Sequence, residues 1–120
     1  MDFKALTNDE RLALAALTRT MVRLDRSYSA DESDRLRAIA AELGDPEAFW
    51  ETMELAEQTV DSPEKLRVVT GSVTRPEARA LILDVLSSLA AADAGSEAEL
   101  KMIDEVRALW DGDTSGPYRA

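Results

Sequence analysis

The sequence predicts an all-α protein, a compact bundle of about six helices, and three observations carry that prediction. Hydrophobic residues make up 45% of the chain but aromatics only 5%, and Ala, Leu, Glu and Arg dominate, which are residues that lose little freedom in a helix. Apolar residues recur at spacings of three and four in every long segment, and no segment sustains the two-residue alternation of a strand. Finally, one helical hairpin is written twice. Residues 19–40, RTMVRLDRSYSADESDRLRAIA, and residues 86–106, LSSLAAADAGSEAELKMIDEV, each read as helix, Asp, short polar turn, Ser-x-x-Glu, helix.

The register of the two copies agrees on both sides of the turn. Met21 and Leu17 precede Asp25 by four and eight residues, as Leu89 and Val85 precede Asp93. Leu36 and Ile39 follow Glu32 by four and seven, as Ile103 and Val106 follow Glu99. A unit repeated within one domain predicts an internal pseudo-two-fold relation, not a solenoid, which needs more copies.

Taken in order, the chain opens with a lead-in whose Phe3 and Leu6 are expected to pack on the body. Thr7-x-x-Glu10 is a capping box, in which hydroxyl and carboxylate satisfy N–H groups that a first turn leaves unpaired. Leu14, Leu17, Met21 and Leu24 form the buried stripe of helix one, which runs to about Asp25. Ser29-x-x-Glu32 caps helix two, with Leu36, Ile39, Ala40 and Leu43 inward and a stop at Gly44. Asp45-Pro46 starts helix three. Phe49, Trp50, Met53, Ala56 and Val60 mark its inner face, and Glu47, Glu51, Glu54, Glu57 and Asp61 its solvated side.

Ser62-Pro63 caps a shorter helix four bearing Leu66 and Val69, which Gly71 ends. Thr74-x-x-Glu77 is read as the capping box of helix five, whose stripe of Ile82, Val85, Leu86 and Leu89 predicts the central, most buried helix. Ser96-x-x-Glu99 opens helix six, with Ile103, Val106 and Trp110 inward. Residues 1–110 therefore read as a single helical domain and residues 111–120, DGDTSGPYRA, as a flexible tail.

Charge and composition exclude several functions. With 24 acidic against 14 basic residues and a net charge of −10, the chain opposes phosphate backbones and anionic lipid surfaces, so no nucleic-acid partner is expected. No apolar run reaches the roughly 18 residues that span a bilayer, and no signal pattern opens the chain, so the reading is cytoplasmic with no membrane insertion. Cysteine and histidine are absent. That rules out disulfides, Cys/His zinc sites and histidine acid–base chemistry. No nucleophile–base pair, phosphate-cradling loop or nucleotide motif is present, so neither an enzyme nor an organic cofactor is predicted.

The remaining chemistry lies in the duplicated acidic corners. Capping explains Glu32 and Glu99 without a ligand, since each stands three residues after a Ser cap. Asp25 and Asp93 are different. Each closes a helix at its negative end, where a carboxylate costs on the order of 0.3–1 kcal/mol. Either each Asp closes an Asx-turn on the following backbone, or the four carboxylates meet near the pseudo-two-fold axis around a cation. An all-oxygen set suits a hard divalent metal, Ca²⁺, Mg²⁺ or Mn²⁺. Neither corner is an EF-hand. Counting from Asp25 puts Ala30 where the sharp-turn Gly is required and Leu36 at the bidentate position, and counting from Asp93 puts Ala98 at the Gly position.

An Asp ending one helix, a small turn and Ser-x-x-Glu opening the next, present near both ends of an all-helical domain, resembles the TerB (tellurite-resistance protein B) family. A similar likeness extends to the N-terminal domain of membrane-anchored DnaJ-type co-chaperones. The resemblance covers about Thr7 to Trp110. The family pattern of Ala-Asp-Gly, turn, Ser/Thr-x-x-Glu is met by Leu24-Asp25-Arg26 with Ser29-Ala-Asp-Glu32, and by Ala92-Asp93-Ala94 with Ser96-Glu-Ala-Glu99. The Gly after each Asp is replaced, by Arg26 and Ala94, and the second turn is one residue shorter. The resemblance implies a non-enzymatic domain linked to tellurite or chemical-stress response, with a metal site of Asp25, Glu32, Asp93 and Glu99. The alternative is a protein–protein interaction module in which the acidic corners only cap helices and the acidic face of helix three meets a protein partner. The partner's identity and the oligomeric state are not written in the sequence.

Overall fold

The computed structural model describes residues 3–24, 30–92 and 97–115. After a 3-10 turn at Phe3–Ala5 come six helices: α1 Asn8–Leu24, α2 Ala30–Glu42, α3 Pro46–Thr59, α4 Pro63–Gly71, α5 Pro76–Ala92 and α6 Glu97–Ser115. No strand occurs among the described residues. The fold is an all-α bundle.

Several helix starts follow the local chemistry of the sequence. Thr7 N donates to Glu10 Oε1 at 2.8 Å and Glu10 N to Thr7 Oγ1 at 3.2 Å, a complete capping box. Ala48 N donates to Asp45 Oδ1 and Lys65 N to Ser62 Oγ, both at 3.2 Å, so α3 and α4 begin on side-chain caps with Pro46 and Pro63 in the first turn. After α2, Gly44 takes φ 87°, a left-handed conformation that would crowd a Cβ.

Helix α5 starts differently from its motif. Its first helical bond runs from Arg79 N to Arg75 O, which puts Arg75 at the cap position, Pro76 first in the helix and Thr74 one residue outside it. Glu77 is exposed, and no Thr74–Glu77 box forms. Proline favours the first helical position, and Arg75 is held in place by tertiary bonds described below.

The hub of the bundle is α1, which packs against α3, α4, α5 and α6, whereas α5 packs against α1, α2 and α6. The hydrophobic stripe of α5 predicts that helix at the centre instead. In α1 the whole run Ala13 to Thr18 is buried. Its small residues Ala13, Ala15 and Ala16 let neighbours approach from several sides, so the helix is enclosed without a strong one-sided stripe. Helix α5 contributes Ala78, Ile82, Val85, Leu86, Leu89 and Ala90 to the same core.

The lead-in is tied down as expected. Phe3 and Leu6 are buried, Phe3 N donates to Leu43 O at 2.9 Å, and the Phe3 ring meets Phe49 edge-on at 5.9 Å. Arg11 donates to the carbonyls of Phe3 and Lys4 at 3.0 Å and lies over the Phe3 ring. It therefore clamps the lead-in.

Two apolar assignments change. Trp50 is 41% exposed. Phe49, Met53, Ala56 and Val60 follow spacings of four, three and four, and a residue directly after Phe49 is turned about 100° away from that stripe. Trp50 instead rests edge-on against Phe49. Leu24 is 40% exposed at the end of α1. Beyond Trp110, α6 continues to Ser115, since extending a formed helix costs far less than nucleating one. The tail beyond Ser115, residues 116–120, lies outside the described residues.

Candidate metal centre

Of the four carboxylates in the duplicated corners, Asp25 and Asp93 lie outside the described residues. Glu32 is in the first turn of α2, with its side chain outside them as well. Glu99 is described. It stands in the first turn of α6, where the helix dipole favours a negative charge, and it is fully buried, at 0% exposure.

The glutamates of the two Thr-x-x-Glu motifs set Glu99 in context, because the same spacing produces different environments. Glu77 faces solvent. Glu10 is buried, and its charge is met by Arg75, whose Nε donates to Oε2 at 2.8 Å and whose Nη2 donates to Oε1. Arg75 Nη2 also reaches Ala5 O at 3.0 Å. The Arg75 guanidinium holds the Glu10 carboxyl at about 2, below its ordinary 4.5; burial opposes the shift, and the Thr7 N–H adds to it. Cap, lead-in and α5 start are joined through this one carboxylate.

A buried carboxylate has lost its hydration, and a hard cation is one means of replacing it with fixed charge. Glu99 fits such a role by burial and by donor type. Among the described residues no group of three or more His, Cys, Asp or Glu side chains stands together to hold a metal. A metal site that included Glu99 would have to draw its other ligands from outside these described side chains, where Asp25, Asp93 and the Glu32 side chain lie.

Elsewhere in the bundle the structure adds residues that the motif does not announce. Trp110 is buried as the sequence predicts, but its Nε1 donates to Thr70 O at 2.9 Å and the Arg79 guanidinium lies over its ring at 5.4 Å. Arg19 of α1 pairs with Glu57 of α3 at 2.9 Å, so a charge that could have faced a neighbouring molecule is used within the chain. None of these pairings has a local sequence signal, since each joins residues on different helices.

No helix of the described residues is long and apolar enough to cross a membrane. No curated protein and no solved structure matches the chain. The family model described as Tellurite resistance protein TerB matches residues 11–111, which spans α1 to the end-region of α6 and includes both acidic corners. The chain thus belongs to the TerB family.

Proposed function

We propose that this protein is a non-enzymatic, cytoplasmic TerB domain that binds a divalent metal through Asp25, Glu32, Asp93 and Glu99 and serves a tellurite or chemical-stress response. The observation that carries this reading is the complete burial of Glu99. The Ser/Thr-x-x-Glu spacing alone does not require burial, since Glu77 is exposed, and a carboxylate shielded from water interacts more strongly with a cation. The duplicated register supports it, because it supplies a second Asp/Glu pair related to the first. The metal would neutralise the clustered charge and join the two hairpins. No reaction is assigned to it.

A ligand that binds only the folded state raises the melting temperature by mass action. Thermal melts of metal-stripped protein with and without Ca²⁺, Mg²⁺ or Mn²⁺ test the reading. At least one ion should raise Tm, and Asp93→Asn should remove most of the gain. An equal gain in the variant excludes the proposed ligand set.

A second reading, a protein-interaction module, is favoured by one feature of α3. Trp50 is exposed among the exposed Glu47, Glu51 and Glu54, which suits a basic partner through charge and cation–π contact. Reversing the charges of Glu51 and Glu54 should weaken such a partner. Binding that survives the reversal speaks against this face.

A further inference from the structure

A groove of about 770 Å³ lies between α1, α4 and α6, and Glu99 is not among the residues that line it. Its walls are mainly aliphatic, with Leu17 and Leu24 from α1, Leu66 from α4 and Met102, Val106 and Leu109 from α6, beside the hydroxyls of Thr20 and Thr70. No aromatic side chain lines it among the described residues. There is no flat ring on which a planar ligand would stack, while flexible Met102 adapts to an irregular or mobile chain.

The charges at the groove run against the rest of the protein. Arg67 of α4 and Lys101 of α6 line it, with one carboxylate, Glu105, in a chain whose net charge is −10. Neither Arg67 nor Lys101 is in an ion pair among the described residues. Both have long aliphatic stems that can lie along an apolar chain while the charged ends stay in water. On α6 the lining runs from Ala98 to Leu109, on the order of 16 Å of helix at 1.5 Å per residue. The volume is in the range of small-molecule sites, roughly 300–1,000 Å³.

We propose that this groove binds a medium- to long-chain fatty carboxylate, its acyl chain along the aliphatic wall and its carboxylate at Arg67 and Lys101. The chain supplies most of the affinity by leaving water. The two cations supply the preference for an anion over a neutral or cationic amphiphile of the same length. The site needs no metal and stands whether or not the acidic corners bind one.

The test is a two-dimensional ¹H–¹⁵N NMR titration of the metal-stripped full chain with dodecanoate below its micelle concentration, alongside dodecanol and dodecyltrimethylammonium. Dodecanoate should perturb resonances of α1, α4 and α6 and bind more tightly than the cationic amphiphile. The Arg67→Glu/Lys101→Glu variant, changed only at exposed positions, should bind dodecanoate about tenfold more weakly and dodecanol within about twofold of the parent. Ala108→Phe, also at an exposed lining position, should fill the groove and weaken both ligands about tenfold. Equal affinity for dodecanoate and dodecyltrimethylammonium, perturbations elsewhere in the molecule, or an acidic amphipathic peptide binding where dodecanoate does not, would overturn the proposal.

Discussion

Glu10 and Arg75, separated by 65 residues, form a two-bond ion pair that joins the first turn of α1 to the cap position of α5. These are the leading helices of the two hairpin copies, so the contact links the halves of the duplication. Glu10 also closes the Thr7 capping box, and Arg75 also holds the lead-in at Ala5. Glu10→Gln should therefore destabilise the fold by about 2–4 kcal/mol, because it weakens a buried charge-assisted pair and leaves Arg75 poorly matched. Glu77→Gln, in the same motif but exposed, should stay within about 0.5 kcal/mol. Urea denaturation of the two variants makes the comparison.

The same carboxylate predicts an acid limb. Its pKa is depressed when folded, to about 2 from the ordinary 4.5, so its contribution is fully present above about 4.5 and is lost as pH falls toward 2. The sign follows from protons bound: in that window the unfolded chain takes up the proton that folded Glu10 resists. Stability measured from pH 6 down to pH 2 should fall across this window in the parent, and the fall should be shallower by about 2–3 kcal/mol in Glu10→Gln.

The two tryptophans should separate cleanly. Trp110→Phe keeps most of the buried ring but removes the Nε1 donor to Thr70 O, and should cost about 1–3 kcal/mol. Trp50→Phe removes an exposed ring edge and should cost less than about 1 kcal/mol. Acrylamide quenching gives an independent check: emission from the protein retaining only Trp50 should quench readily, and emission from the protein retaining only Trp110 should resist.

For the acidic corners the informative variant is Glu99→Gln. It keeps the shape of a fully buried side chain and removes its charge. If Glu99 ligates a divalent ion, the variant should lose most of the metal-induced rise in Tm, whereas Glu77→Gln should retain it. Calorimetric titration with Ca²⁺ and Mn²⁺ should show binding weakened at least about tenfold in Glu99→Gln. Unchanged binding removes Glu99 from the site.

Much of the helical architecture was legible because it rests on local chemistry. Thr7 with Glu10, Asp45 with Pro46, Ser62 with Pro63, and Gly44 each mark a boundary through bonds or sterics within a few residues, and the three-to-four spacing of Leu14, Leu17 and Met21 or Ile82, Val85, Leu86 and Leu89 selects a buried face. The duplication was legible for the same reason, as a repeated register. The candidate site was legible only as a set of carboxylates. Periodicity could name Glu10, Glu77 and Glu99 as equivalents, and it had no means of separating them.

Tertiary packing made that separation. One glutamate met Arg75, one faced water and one was enclosed by the bundle, because burial depends on which helices cover a residue and not on its place within a motif. The same rule turned Trp50 outward, enclosed α1 on several sides and left Arg67 and Lys101 beside an aliphatic groove. The sequence by itself determined the helices, most of their ends and the repeated acidic motif, through interactions that reach no further than about four residues along the chain. Only the tertiary structure decided which charges are paired, which are buried and where an open apolar surface remains, since those contacts join residues tens of positions apart.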